Sequence, residues 1–105
     1  MSNLIEVNDS NFEAEVLQSS VPVVVDYYSD RCGPCRMIKP ALALLSEELS
    51  SKAKFVTVDV VANPKLVSNY AVSAVPTVLV IREGKEVHRM VGLGALSELR
   101  EALQL

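Results

Sequence analysis

The segment Val21-Pro22-Val23-Val24-Val25-Asp26-Tyr27-Tyr28 constrains the fold of this chain more than any other. Its residues are mostly β-branched or aromatic and show little alternation between apolar and polar, the pattern of a strand covered on both faces in a parallel or mixed sheet. Such a strand needs paired neighbours at its edges and helices above and below, so it is predicted at the centre of the sheet.

The rest of the chain supplies those partners in alternation. Leu4 to Val7 is a short apolar run, and Ser10-Asn11-Phe12-Glu13 has the spacing of a capping box that opens a helix with Phe12, Val16 and Leu17 on one face. After Ser29-Asp30-Arg31, the residues Met37, Ile38, Ala41, Leu42, Leu44, Leu45 and Leu49 recur at helical spacing. Pro40, which has no amide to donate, is expected to kink that helix. Lys54 to Val61 reads as a third strand, and Asn63-Pro64 supplies an N-cap and a first-turn proline for a short helix through Tyr70. Val75 with Thr77 to Ile81, the turn Glu83-Gly84 and Glu86 to Met90 read as strand, hairpin and strand, Gly84 taking a positive φ. Ser97 to Leu103 closes as an amphipathic helix. The order βαβαβαββα predicts an α/β fold, a mixed five-stranded sheet flanked by four helices, with right-handed crossovers between parallel strands. Chemistry in such sheets sits beyond the carboxyl ends of the strands.

With 105 residues, half of them hydrophobic, and no repeat or linker-like stretch, the chain is expected to form a single domain over residues 1–105. Its net charge of −3 gives no electrostatic reason to expect nucleic acid or an anionic membrane as partner. The N-terminus, Met1-Ser2-Asn3-Leu4-Ile5-Glu6, lacks a basic n-region and a long apolar h-region, so a cytoplasmic location is expected. The only two cysteines, Cys32 and Cys35, are too few for the disulfide framework of a small secreted domain. With the one distant histidine, His88, they also leave a tetrahedral zinc site incomplete.

Cys32-Gly33-Pro34-Cys35 falls where the central strand meets the long helix. At a helix start two sulfurs so spaced are one turn apart, close enough to bond, with Gly33 and Pro34 shaping the turn. The positive end of the helix favours thiolate at the first cysteine, which makes Cys32 the expected nucleophile and Cys35 the residue that resolves a mixed disulfide.

Through Asp26, Cys32-Gly33-Pro34-Cys35, Pro40, Val75-Pro76-Thr77, Gly84 and Gly92, in order and spacing, the chain resembles the thioredoxin family over essentially its whole length. The resemblance implies the thioredoxin fold and protein-disulfide reduction by dithiol–disulfide exchange, with Cys32 and Cys35 as the redox-active pair. No bound cofactor is implied; the electrons come from NADPH through a flavin-dependent thioredoxin reductase, and the partners are that reductase and disulfide-containing protein substrates, met as a monomer. It further implies that Pro76 is cis beside the sulfurs, where the residues alone read as an ordinary trans proline entering a strand. The backbone of Val75 would pair with bound substrate, and Asp26 would be a buried carboxylate that takes a proton from Cys35, rather than a solvated strand end. Ala74, Val75, Val91 and Leu93, with Gly33, Pro34 and Gly92, would form a flat docking patch.

The chain departs from the family in having no tryptophan: Arg31 precedes the first cysteine and Tyr28 lies three residues earlier. Arg31 is expected to favour the Cys32 thiolate and attract acidic substrates. Thr57 stands where many members carry a lysine near the buried aspartate, which predicts an Asp26 without that cation and with a raised pKa. His88 is assigned no role. Two other functions compete on sequence: a specialised dithiol oxidant or isomerase, and a non-catalytic interaction scaffold.

Overall fold

A computed structural model of the chain describes residues 3–94 and 96–103; Met1 and Ser2, part of the N-terminal expectation, lie outside them. Strands β1 (Leu4–Glu6), β2 (Val23–Tyr28), β3 (Lys54–Asp59), β4 (Thr77–Arg82) and β5 (Lys85–Val91) alternate with helices α1 (Glu13–Leu17), α2 (Gly33–Glu48), α3 (Pro64–Asn69) and α4 (Leu96–Leu103). The sheet order is β1-β3-β2-β4-β5, with β2 at its centre. β1 and β2 pair in parallel with β3, while β4 runs antiparallel to both β2 and β5.

The unalternating hydrophobicity of β2 is explained by what covers it. Val23, Val25 and Tyr27 point into a layer with Phe12 and Val16 of the α1 region and Leu66 of α3. Val24 points the other way, into a layer with Ile38, Leu42, Leu45 and Leu49 of the α2 segment and Leu99 and Leu103 of α4. Because strand side chains alternate faces, Asp26 shares the face of Val24 and lies under α2. One residue of register therefore decides that the only charged residue of β2 faces the helix that carries both cysteines.

α2 continues through Pro40, burying Ile38, Leu42 and Leu45 with Leu49 at its C-cap. Each such side chain contributes about 1.5–3 kcal/mol by leaving water. Met37 and Leu44, grouped by spacing with the buried face, are instead 68% and 69% exposed; they lie one residue outside the stripe that meets the sheet. The β4–β5 hairpin turns through Glu83 (φ 54°) and Gly84 (φ 78°), both left-handed. A two-residue turn of that kind matches the strand twist, so Glu83 adopts with Gly84 the positive φ expected of glycine alone.

Two caps differ from the expected ones. Ser10 does not cap α1; the reciprocal pair is Asn8 and Asn11, with the Asn8 amide donating to Asn11 Oδ1 (2.8 Å) and the Asn11 amide to Asn8 Oδ1 (3.0 Å). The single turn that follows is wide, closed by the Gln18 amide donating to the Glu13 carbonyl (3.0 Å). At α3, Asn63 occupies the N-cap position but does not cap with its side chain. It accepts from the Asp9 amide (3.0 Å) and donates to the Asp59 carbonyl (3.0 Å), while Asp9 Oδ1 accepts from the Leu66 amide (3.2 Å). A residue more than fifty positions away thus supplies the cap.

Candidate active site

Cys32 is the N-cap of α2, in extended conformation, and its Sγ accepts a hydrogen bond from the Cys35 amide at 3.0 Å. The cap position that serine or aspartate usually holds is thus taken by a sulfur, and the helix end that favours a negative charge faces it directly. Pro34 in the first turn removes an amide that would have no helical partner. Cys32 and Cys35 are joined as a disulfide with Cα atoms 5.2 Å apart, both cysteines being nearly buried at 8% and 4% exposure. Gly33 and Pro34 between them are exposed. A Cβ built on Gly33 meets nothing within 4 Å, so the bare backbone there is open surface rather than a packing requirement.

Asp26 is 2% exposed and its Oδ1 has no hydrogen-bond partner among the described residues. Burial pushes its pKa up to about 6, against a usual value near 4. The carboxyl group opens into a cavity of about 90 Å³ lined also by Tyr28, Ser29, Asp30, Cys35, Arg36 and Lys39. That volume admits water. One cavity therefore joins an acid whose pKa is raised to about 6 to the inner cysteine.

The charges around Asp26 differ from expectation. Thr57 is its register partner on β3, but the Thr57 hydroxyl donates to Glu6 Oε1 (3.1 Å), which also accepts from the Tyr28 hydroxyl (2.9 Å). The cation that sequence reasoning found missing is present on another element: Lys39 of α2 lines the cavity and lowers the Asp26 pKa against burial, while Glu6 raises it. Lys39 lies one helical turn beyond Cys35, a spacing that could have drawn attention to it. Its Nζ also lies 5.7 Å from the Tyr28 ring centroid.

The Val75–Pro76 peptide bond is cis and Pro76 is buried. Thr77 pairs with Tyr27, so the cis proline lies at the same end of the sheet from which the chain leaves β2 for the cysteines. The Gly92 amide donates to the Pro76 carbonyl (2.8 Å), and Gly92 has a φ of 82°. Val91 (61% exposed) and Leu93 (56%) therefore flank the proline from the end of β5. Ala74 and Val75 line a second hollow with Val60, Val67 and Val72. The inward part of that hollow, from the turn after β3 and from α3 and its end, was not foreseen in the sequence, where these valines carry no signal beyond core.

Arg31 is exposed beside Cys32, its amide donating to Ser29 Oγ (3.3 Å). His88 Nε2 lies 3.1 Å from Glu98 Oε1, linking β5 to α4 away from the cysteines. Among the described residues no group of three or more His, Cys, Asp or Glu is placed to hold a metal ion, and no helix is long and apolar enough to cross a membrane.

The family model described as Thioredoxin matches residues 3–105. "Thioredoxin 1" of Nostoc sp. is 36% identical over 104 residues, which are 99% of this chain and 97% of the relative. "Thioredoxin 1" of Synechococcus elongatus is 38% identical over 88% of this chain and 86% of its own, and "Thioredoxin" of Rickettsia bellii is 38% identical over 90% of each.

Proposed function

The chain belongs to the thioredoxin family and carries its dithiol–disulfide redox pair, and on that premise we propose that it reduces disulfides in other proteins with Cys32 as nucleophile and Cys35 as resolving thiol. The Cys32 thiolate, favoured by the helix end, attacks one sulfur of a substrate disulfide; a mixed disulfide forms and the other substrate sulfur leaves as thiolate. Cys35 then gives its proton to the Asp26 carboxylate and attacks Cys32 Sγ. The Cys32–Cys35 bond forms, the mixed disulfide breaks, and the substrate gains the two electrons the pair has lost.

The observation that carries this reading is the shared cavity: a buried carboxyl with an unpartnered oxygen opens onto the same space as Cys35. A pKa raised to about 6 suits a group that is ionised at physiological pH yet can take a proton and release it again.

Around the pair, Arg31, Gly33, Pro34, Ala74, Val75, Val91, Gly92 and Leu93 form the surface that receives the substrate. Pro76 shapes it, and the Val75 backbone pairs with an extended substrate segment. The oxidised pair is returned to the dithiol by a flavin-dependent thioredoxin reductase drawing on NADPH. The chain acts as a single-domain monomer in the cytoplasm, without nucleic acid or membrane as partner.

The test is dithiothreitol-driven reduction of insulin disulfides by the wild type, Cys32→Ser and Cys35→Ser. Acceleration by the wild type and its loss in both variants is the expected result, with Cys35→Ser accumulating a mixed disulfide through Cys32. No acceleration by a folded, reduced wild type would overturn the reductase in favour of an interaction scaffold.

A further inference from the structure

Asp26 stands between two charges that reach it from opposite elements. Glu6 comes from edge strand β1, its carboxylate held by the hydroxyls of Thr57 (3.1 Å) and Tyr28 (2.9 and 3.1 Å). Lys39 comes from α2 and lines the cavity into which Asp26 opens, its side chain lying against the Tyr28 ring.

Several of the other groups near Asp26 are engaged elsewhere or uncharged. Arg36 Nη2 donates to the Asp30 carbonyl at 2.7 Å, and Asp59 Oδ1 accepts from the Val61 amide at 2.9 Å. On β4 the register partner of Asp26 is the apolar Val78, and Cys35 is bound in the disulfide. Asp30 also lines the cavity, but the charges that act on Asp26 are Lys39 and Glu6, in opposite senses.

We propose that Lys39 is a positioning residue for the proton step, holding Asp26 as a carboxylate ready to receive the Cys35 proton, and that Glu6, fixed by Thr57 and Tyr28, opposes it. The pairing follows from placement. With Thr57 on β3 turned to Glu6, no cation among the described residues reaches Asp26 from within the sheet, and the lysine one turn past Cys35 supplies it from the helix across the cavity. Lys39 is exposed and lines the cavity, so the cavity that holds the Asp26 carboxyl borders a cation that also meets solvent. The inference rests on the reading of Asp26 as proton acceptor for its mechanistic meaning, but its electrostatic content is testable alone.

The experiment is a pH titration of the Asp26 side-chain carboxyl by carbon NMR in the oxidised protein, where no thiol titrates beside it. Lys39→Gln is expected to raise the midpoint by roughly 0.5 to 1 pH unit and Glu6→Gln to lower it by a similar amount. Lys39→Arg is expected to restore the wild-type midpoint, and the Lys39→Gln shift to shrink in about 0.5 M salt, because the ammonium group is solvent-accessible. Lys39 is exposed, so its substitution leaves the core intact. A midpoint unmoved in Lys39→Gln overturns the inference whatever Asp26 does in catalysis. A moved midpoint, with Asp26→Asn still resolving the mixed disulfide at the wild-type rate, upholds the pairing and removes instead the proton role of Asp26. A moved midpoint, together with an equal displacement of the acid limb of the resolution rate, upholds both.

Discussion

At the scale of the residue, Asp26 has one property that suits the proposed proton transfer and costs stability. The folded chain binds its proton more tightly than the unfolded chain does, the pKa being raised to about 6 from 3.8. The contribution of Asp26 is therefore neutral well below pH 4, where both states hold the proton, and becomes a penalty that grows as pH rises from the unfolded value of 3.8 to the folded value. Above about pH 7 the penalty levels off at about 2–3 kcal/mol, from a shift of about two units. Asp26→Asn is accordingly expected to raise the urea midpoint of the oxidised protein at pH 8 and to lose that advantage toward pH 4. A gain independent of pH would mean that the amide stabilises by packing and not by removing a buried charge. Arg31 makes a second prediction at this scale. As an exposed cation adjoining Cys32, it is expected to favour the thiolate, so that Arg31→Trp raises the Cys32 pKa by a few tenths of a unit, read from thiolate absorbance against pH.

The elements set these residues in place through contacts of very different range. α3 is only six residues long and has too few internal hydrogen bonds to persist alone. It is held by Leu66 in the core and by Asp9, whose carboxylate accepts from the Leu66 amide across the first turn. Asp9→Ala is expected to cost about 1 kcal/mol, the usual value of an N-cap. Asn63→Ala is expected to cost more, since it strands the Asp9 amide and empties a buried site, although the Asp59 carbonyl keeps the Asn63 backbone amide as donor (3.1 Å); chemical denaturation of the two variants decides the order. The same contrast explains what was legible beforehand. Elements announced by their own composition were: the β2 strand, the α2 stripe Ile38-Leu42-Leu45-Leu49, the proline that opens α3 and the glycine of the hairpin. So was the pair Cys32 and Cys35, because two residues of spacing at a helix start fix their geometry locally. What was not legible is tertiary. Asp9 caps a helix that begins more than fifty residues later, Lys39 meets an aspartate on another element, and Val60 and Val67 line a hollow beside Val75. Periodicity could not separate Met37 and Leu44 from the buried stripe either, because the width of the apolar face depends on how closely α2 lies on the sheet.

For the whole molecule, the decisive quantity is which redox form the fold prefers. The Cys32–Cys35 bond closes a loop of only a few residues, so in the chain-entropy model it restricts the unfolded ensemble by about 2 kcal/mol. In the oxidised form the Cα atoms stand 5.2 Å apart at a helix start, within the usual range for a disulfide. The oxidised protein is thus expected to be the more stable form by about that amount. By linkage, a fold that is stabilised by its disulfide stabilises that disulfide equally, and about 2 kcal/mol corresponds to about 40 mV in a two-electron couple. The folded pair is then harder to reduce than the same four residues in an unfolded chain, so once reduced it tends to pass its electrons on. An oxidant has the opposite balance, with its dithiol form the more stable. Urea unfolding of the oxidised and reduced protein at one pH therefore distinguishes the two directions of chemistry without any substrate. A higher midpoint for the oxidised form, at an unchanged slope, places the chain among reductants, whereas a higher midpoint for the reduced form would assign the same residues to disulfide formation.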